Sequence, residues 1–150
     1  MSKSKPPFLK QETRYSCAPA CLRMVLAGLG LEVDEARLLQ LADCSPLGTN
    51  AFQLVKAARQ LGFTGSRKHT LASLDELASL LDRPCFPIVY VDLWPIKGGL
   101  SGQYHSLVVV AIERESVIVL DPLIGERRIS REDFQAAREA MHFLTIVISE

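Results

Sequence analysis

Four side chains in this sequence have the types and places that nucleophilic acyl chemistry needs. Cys17 stands where Ser16-Cys17-Ala18-Pro19 opens a helix. Unpaired backbone N–H groups and the positive end of the helix dipole surround a sulfur in that position, and both favour thiolate. His105 stands at the mouth of an apolar strand, directly before Ser106-Leu107-Val108-Val109-Val110. Asp121 ends the next strand and precedes Pro122. A hairpin between the two strands returns His105 and Asp121 to one end of a sheet, with their exact register left open. In such a set the thiol attacks a carbonyl, the imidazole moves the proton and the carboxylate orients the imidazole. Gln11, six residues before Cys17, is near enough in the chain to aim its amide beside the sulfur as an oxyanion donor. Each residue alone also has a plainer reading. These are a core thiol, a packed histidine, a turn-forming Asp-Pro and a solvated glutamine.

The elements that must position these residues follow from periodicity and punctuation. Pro6-Pro7 and the lysines around them predict a mobile arm over residues 1–9. Ser16 is the expected N-cap of the first helix, with Pro19 tolerated in its first turn and Gly28 and Gly30 ending it. Apolar residues at helical spacing predict further helices over 33–42, 51–61 and 73–81, and Ser73 with Glu76 forms a capping box for the last. Strands are expected at 64–69, 86–91, 104–112, 117–120, 126–129 and 143–148, with a short helix over 130–138 capped by Ser130. A long loop, 93–103, precedes His105. Its glycines 98, 99 and 102 predict a mobile segment able to lid a cleft. Helices first and a meandering antiparallel sheet after make an α+β layout, in one domain over 10–150.

Composition excludes several functions. The 150 residues are 48% hydrophobic and 23% charged, which is globular rather than disordered. Lys plus Arg and Asp plus Glu are 17 each, so no global basic field draws nucleic acid. The longest uncharged run, 98–112, is shorter than the ~20 apolar residues of a membrane span, so no direct membrane insertion is expected. The first ten residues have no apolar stretch of the secretory kind, and a cytoplasmic protein with free thiols is expected. Cysteines at 17, 21, 44 and 85 lack the paired C-x2-C spacing of zinc sites. Neither a metal nor another cofactor is therefore expected. Cys21 reads as core packing under the first helix.

The run Q-E-T-R-Y-S-C-A-P-A-C-L-R-M-V-L-A-G-L-G resembles the nucleophile motif of the bacteriocin-processing cysteine peptidases. These are papain-like domains best known at the N-terminus of peptide-exporting ABC transporters. The segment H-S-L-V-V-V-A-I-E-R-E-S-V-I-V-L-D-P-L-I-G resembles their histidine strand and following Asp-Pro-x-x-Gly. L-G-T-N-A-F-Q-L-V-K-A-A-R-Q-L-G-F is similar to their connecting helices. The likeness runs from Lys10 to Phe143.

The resemblance implies a papain-like domain with a helical half packed on an antiparallel sheet and the cleft between them. By position it implies Cys17 as nucleophile, His105 as general base and acid, and Asp121 as orienter. Gln11 then serves as oxyanion donor together with the Cys17 N–H. It also implies a peptide or protein substrate cut after small residues such as Gly-Gly at the end of a leader, with a peptide exporter as partner. Trp94, Tyr104 and Ala18 are the candidate substrate-binding residues. Trp94 and Tyr104 flank the glycine-rich loop. Ala18 replaces the glycine that usually follows the nucleophile in this family, and its methyl group is expected to crowd the oxyanion region or to restrict the backbone. No transmembrane or ATP-binding part follows in the sequence, so a free-standing peptidase or an excised domain is expected. Two other readings share the same residues: an impaired peptidase-like domain that binds export substrates, and an acyltransferase that passes the acyl group to an amine.

Overall fold

The computed structural model of the protein describes residues 4–150. Its backbone forms a six-stranded antiparallel sheet with helices on both faces. In chain order the elements are α1 (Cys17–Gly28), α2 (Glu35–Leu41), α3 (Ala51–Gln60), β1 (Arg67–Thr70), α4 (Leu74–Leu81) and β2 (Ile88–Asp92). Then come α5 (Trp94–Lys97), β3 (Tyr104–Ile112), β4 (Ser116–Asp121), β5 (Gly125–Ser130), α6 (Arg131–Glu139) and β6 (Leu144–Val147). The strand order is β1-β6-β2-β3-β4-β5, so the returning C-terminal strand is inserted between β1 and β2.

Strand alternation divides the core. Ile88, Tyr90 and Val108 face a cluster built with α1, α2 and α3. Val89, Val91, Leu107 and Val109 face a second cluster built with α4 and α6. This is the period-two rule of a sheet covered on both sides. The sequence pattern predicted the helical half on one face. The second layer, α4 with α6, is added by the tertiary structure.

α1 is the central helix. Nine of its residues are buried, among them Cys21, Leu22, Met24 and Leu26, and it packs on β3. Ser16 precedes it but makes no side-chain cap, contrary to expectation. Its hydroxyl instead accepts from the Thr13 N–H at 3.1 Å and bonds the Glu35 carboxylate at 3.2 Å. Ser73 does cap α4 in the expected capping box with Glu76, and Asn50 with Gln53 does the same for α3.

The expected mobile arm covers residues 1–9. Residues 1–3 lie outside the described residues, and the rest is fastened to the body. The Ser4 N–H donates to Gly28 O at 2.9 Å, Lys5 pairs with Glu126 at 2.6 Å, and Pro6 is buried. Glycine is required at position 28 for this approach, since a Cβ there would meet Ser4 O at 2.8 Å. The loop before His105 is likewise tied down rather than free. Asp92 accepts N–H groups from Trp94, Gly102 and Gln103 at 3.3, 2.7 and 3.2 Å, and so clasps both ends of the loop. Its middle turns as α5.

Candidate active site

β3 and β4 pair antiparallel with Val108 opposite Leu120. His105, before Val108, and Asp121, after Leu120, therefore reach the same end of the sheet. There His105 Nε2 lies 2.8 Å from Asp121 Oδ1. Both side chains are buried. Cys17, the first residue of α1, hydrogen-bonds with the same imidazole, so the ring links the sulfur to the carboxylate.

The electrostatics follow from this contact. Burial pushes the Cys17 thiol up, but hydrogen bonds with His105 and Ser106 and the imidazolium charge outweigh it. The net pKa lies below the ordinary value. Burial alone would lower His105, yet its bonds to Asp121 and Cys17 raise it to about 9. Burial would also raise Asp121, and the bonds from His105 and the Leu123 N–H hold it below the usual carboxylate value. The arrangement thus favours a thiolate beside an imidazolium, the form in which a cysteine attacks a carbonyl.

Asp121 has two tasks. Its Oδ1 accepts the Leu123 N–H at 2.9 Å, which makes the turn expected of an Asp-Pro, while the same carboxylate holds the imidazole. Its other oxygen, Oδ2, takes Arg127 Nη1 at 3.1 Å. Arg127 and Arg128 are adjacent arginines on β5. In the structure Arg127 belongs to the site, because β5 runs back along β4 from the Gly125 turn and places it one register step from Leu120. Nothing in the sequence separates Arg127 from its neighbour except strand parity.

Gln11 is buried, and its backbone N–H donates to Pro122 O at 2.8 Å, which ties it to the Asp121 turn. Its Nε2 donates to Thr13 O at 2.7 Å, and Oε1 has no hydrogen-bond partner among the described residues. The segment between Gln11 and Cys17 is held by Glu35, a residue the sequence reading missed. Glu35 is buried, and its Oε2 accepts from the Glu12 N–H at 2.8 Å as well as bonding Ser16. Burial raises its pKa above the usual carboxylate value. In sequence it looks like any other acid in the first turn of a helix.

A cleft of about 270 Å³ opens over the sulfur. It is lined by Arg14, Tyr15, Cys17, the loop from Pro46 to Thr49, Tyr90, Tyr104 and His105. Tyr104 is 66% exposed on one side, and Leu47 is 99% exposed at the tip of the facing turn. The other two candidate substrate-binding residues lie elsewhere. Trp94 is half-exposed on α5 and outside the cleft lining. Ala18 is 1% exposed and packs into the core beneath α1, so its methyl group does not enter the cleft as expected. The helix turns residue 18 away from the face that carries residue 17. Among the described residues no group of three or more His, Cys, Asp or Glu side chains is placed to hold a metal ion. Among the described residues no helix is long and apolar enough to cross a membrane.

Known proteins share the sequence family and the fold of this chain. The model of the Peptidase C39 family matches residues 5–145. An uncharacterized protein of Methanothermobacter marburgensis is 29% identical over 127 residues, which is 85% of this chain and 79% of that protein. Among solved structures, the peptidase domain of Streptococcus ComA, a bi-functional ABC transporter involved in a quorum-sensing pathway, superposes with a TM-score of 0.75. It is 25% identical, and the match covers 98% of this chain and 100% of that one. A double-glycine-motif protease from an AMS/PCAT transporter, solved in complex with its leader peptide, superposes with a TM-score of 0.65 at 18% identity. That match covers 99% and 95% of the two chains. The fold is the papain-like α+β fold of these domains. The chain therefore belongs to the Peptidase C39 family and is a cysteine peptidase.

Proposed function

We propose that the protein is a cysteine endopeptidase that cuts a leader peptide after small residues such as Gly-Gly, using Cys17, His105 and Asp121 with Gln11 as oxyanion donor. The observation that carries this reading is the 2.8 Å contact of His105 Nε2 with Asp121 Oδ1, with Cys17 bonded to the same ring. Cys17 Sγ attacks the scissile carbonyl. His105 then gives its proton to the leaving amine, and the acyl-enzyme is hydrolysed by a water that His105 deprotonates. Asp121 keeps the ring oriented throughout. One N–H of the Gln11 amide is engaged by Thr13 O, which leaves the second for the developing oxyanion beside the Cys17 backbone N–H.

The walls of the cleft support small residues before the cut. Tyr15, Tyr90 and Tyr104 with the Pro46–Thr49 loop line the cleft that holds Cys17, and bulky walls there favour residues without side chains next to the cut. The leader-peptide complex of a double-glycine protease of the same fold points the same way. The packed Ala18 methyl supports a working site over an impaired binding module. The transporter context of both solved neighbours supports a peptide exporter as partner. A sequence with only four cysteines and no disulfide framework suits action in the cytoplasm.

The test is incubation with a synthetic leader peptide ending in Gly-Gly and continuing into cargo, read by mass spectrometry. Hydrolysis products are expected, with Ala-Ala in place of Gly-Gly cut far more slowly. Cys17→Ala and His105→Ala should give no turnover, and Gln11→Ala should lose ~10²–10³ in rate. Cleavage by the Cys17→Ala protein at the wild-type rate would overturn the mechanism, and amine-bearing products would instead identify an acyltransferase.

A further inference from the structure

Ser106 directly follows His105 on β3, so its side chain leaves the opposite face of the strand, toward α1. It is opposite Tyr90, whose ring belongs to the α1-side core. Ser106 is fully buried, and so is Cys21. Cys21 lies four residues after Cys17 on α1, which stacks the two sulfurs on one helix face. Cys21 Sγ donates to Ser106 Oγ at 3.6 Å. Ser106 also adjoins Cys17, and its hydroxyl and its backbone N–H both favour the Cys17 thiolate. The hydroxyl thus sits between two sulfurs.

Proton counting sets the direction. Burial pushes the Cys21 thiol well above its ordinary value, so it keeps its proton and is a donor. Ser106 Oγ accepts that proton in a hydrogen bond. A hydroxyl has one proton of its own, and its remaining sulfur neighbour is Cys17.

We propose that Ser106 is a further catalytic residue, whose hydroxyl and N–H stabilise the Cys17 thiolate in addition to His105, and that Cys21 is the positioning residue that aims the hydroxyl. This rests on Cys17 being the nucleophile. It assigns a role to the buried cysteine, which otherwise reads as packing. It also gives the nucleophile a second source of stabilisation that does not titrate with the imidazole. The thiolate is then held partly by groups that stay in place when His105 loses its proton.

The test is the pH dependence of Cys17 alkylation by iodoacetamide, read residue by residue by mass spectrometry. The proteins are wild type, Ser106→Ala, Cys21→Ala, Cys21→Ser and the Ser106→Ala/Cys21→Ala double variant, with thermal melting as the fold control. Ser106→Ala is expected to slow Cys17 alkylation near pH 6 by about tenfold, the scale of a hydrogen bond to a charged group. The acid limb should move to higher pH. Cys21→Ala is expected to slow it by about twofold to threefold, as for a weak donor acting through another group. Cys21→Ser, which keeps a donor, should restore the wild-type profile, and the double variant should match Ser106→Ala alone. If Ser106→Ala fails to fold, the Cys21→Ala and Cys21→Ser pair decides, and equal profiles for these two overturn the proposal. An unmoved acid limb in a folded Ser106→Ala protein also overturns it, while leaving Cys17 as nucleophile. If wild-type Cys17 reacts no faster than Cys44 near pH 6, the nucleophile reading itself falls, and the proposal with it.

Discussion

Cys17, His105 and Asp121 each have one environment, and their titrations pull in a consistent direction. The Cys17 pKa is lowered and that of His105 is raised to about 9, so the ion pair exists between the two. Cleavage should therefore fall in acid as the thiolate protonates, and fall again above about pH 9 as His105 loses the proton it must give to the leaving amine. A pH–rate profile of kcat/KM checks both limbs. Arg127 should matter through Asp121 alone. Arg127→Ala removes a charge-assisted bond worth ~1.5–3 kcal/mol, so kcat/KM should drop by about tenfold to a hundredfold. Arg127→Lys should recover part of that loss. A variant with unchanged kcat/KM would show that the Leu123 N–H and His105 suffice to hold the carboxylate.

Elements carry the site in different degrees, and two predictions separate those that do from those that do not. α4 lies across the sheet from Cys17, capped by Ser73. Ser73→Ala should cost ~1 kcal/mol, a fall of about 2–4 °C in Tm for a chain of this size, with cleavage rates unchanged. Enzyme assays and melting curves on the same sample test the separation. The loop before His105 is the opposite case. Its two ends meet at Asp92, directly opposite Tyr104 in the β2–β3 ladder. Asp92→Ala should leave the amides of Gly102 and Gln103 open to hydrogen exchange and raise KM, because Tyr104 lines the cleft. Exchange at these amides as slow as in wild type would mean that the loop is held by Gln103, whose Nε2 donates to Leu100 O at 2.9 Å.

At the scale of the whole molecule, the site is also a contribution to stability. The folded pKa of His105 is raised above its unfolded value of ~6.5. The stability it adds is therefore fully present below about pH 6.5 and lost as pH rises through about 9. Cys17 and Asp121 are depressed, so their contributions are present above their unfolded values and lost as pH falls. The stability difference between wild type and His105→Ala should shrink steadily from pH 6.5 to 9, measured by urea unfolding at each pH. The arm closes the same body from outside. Gly28→Val would drive a side chain against Ser4 O and should free residues 4–6, while the Gln11 bond to Pro122 O keeps the cleft end in place. Limited proteolysis near Lys5, with activity retained, is the expected result.

Local rules reached far along this chain. Periodicity placed all six strands and five of the six helices to within a few residues, because each carries its own apolar pattern and stop signals. The helix start at Cys17 and the hairpin from His105 to Asp121 were legible for the same reason, and the family motif joined them. What sequence left open depends on partners distant in the chain. Ser16 had the type of an N-cap, but Glu35, brought up by α2, bonds its hydroxyl in another direction. Arg127 and Arg128 were alike until strand parity turned one of them onto Asp121. Ala18 looked like an obstruction until the helix turned its methyl into the core, and the arm looked loose until Gly28 gave Ser4 a partner. The sequence by itself determined which side chains could do the chemistry and which elements bear them, since residue type and local periodicity are properties of short segments. Only the tertiary structure decided which of those side chains meet. A hydrogen bond of 2.8 Å between residues on neighbouring strands is set by register, twist and burial, and none of these is local.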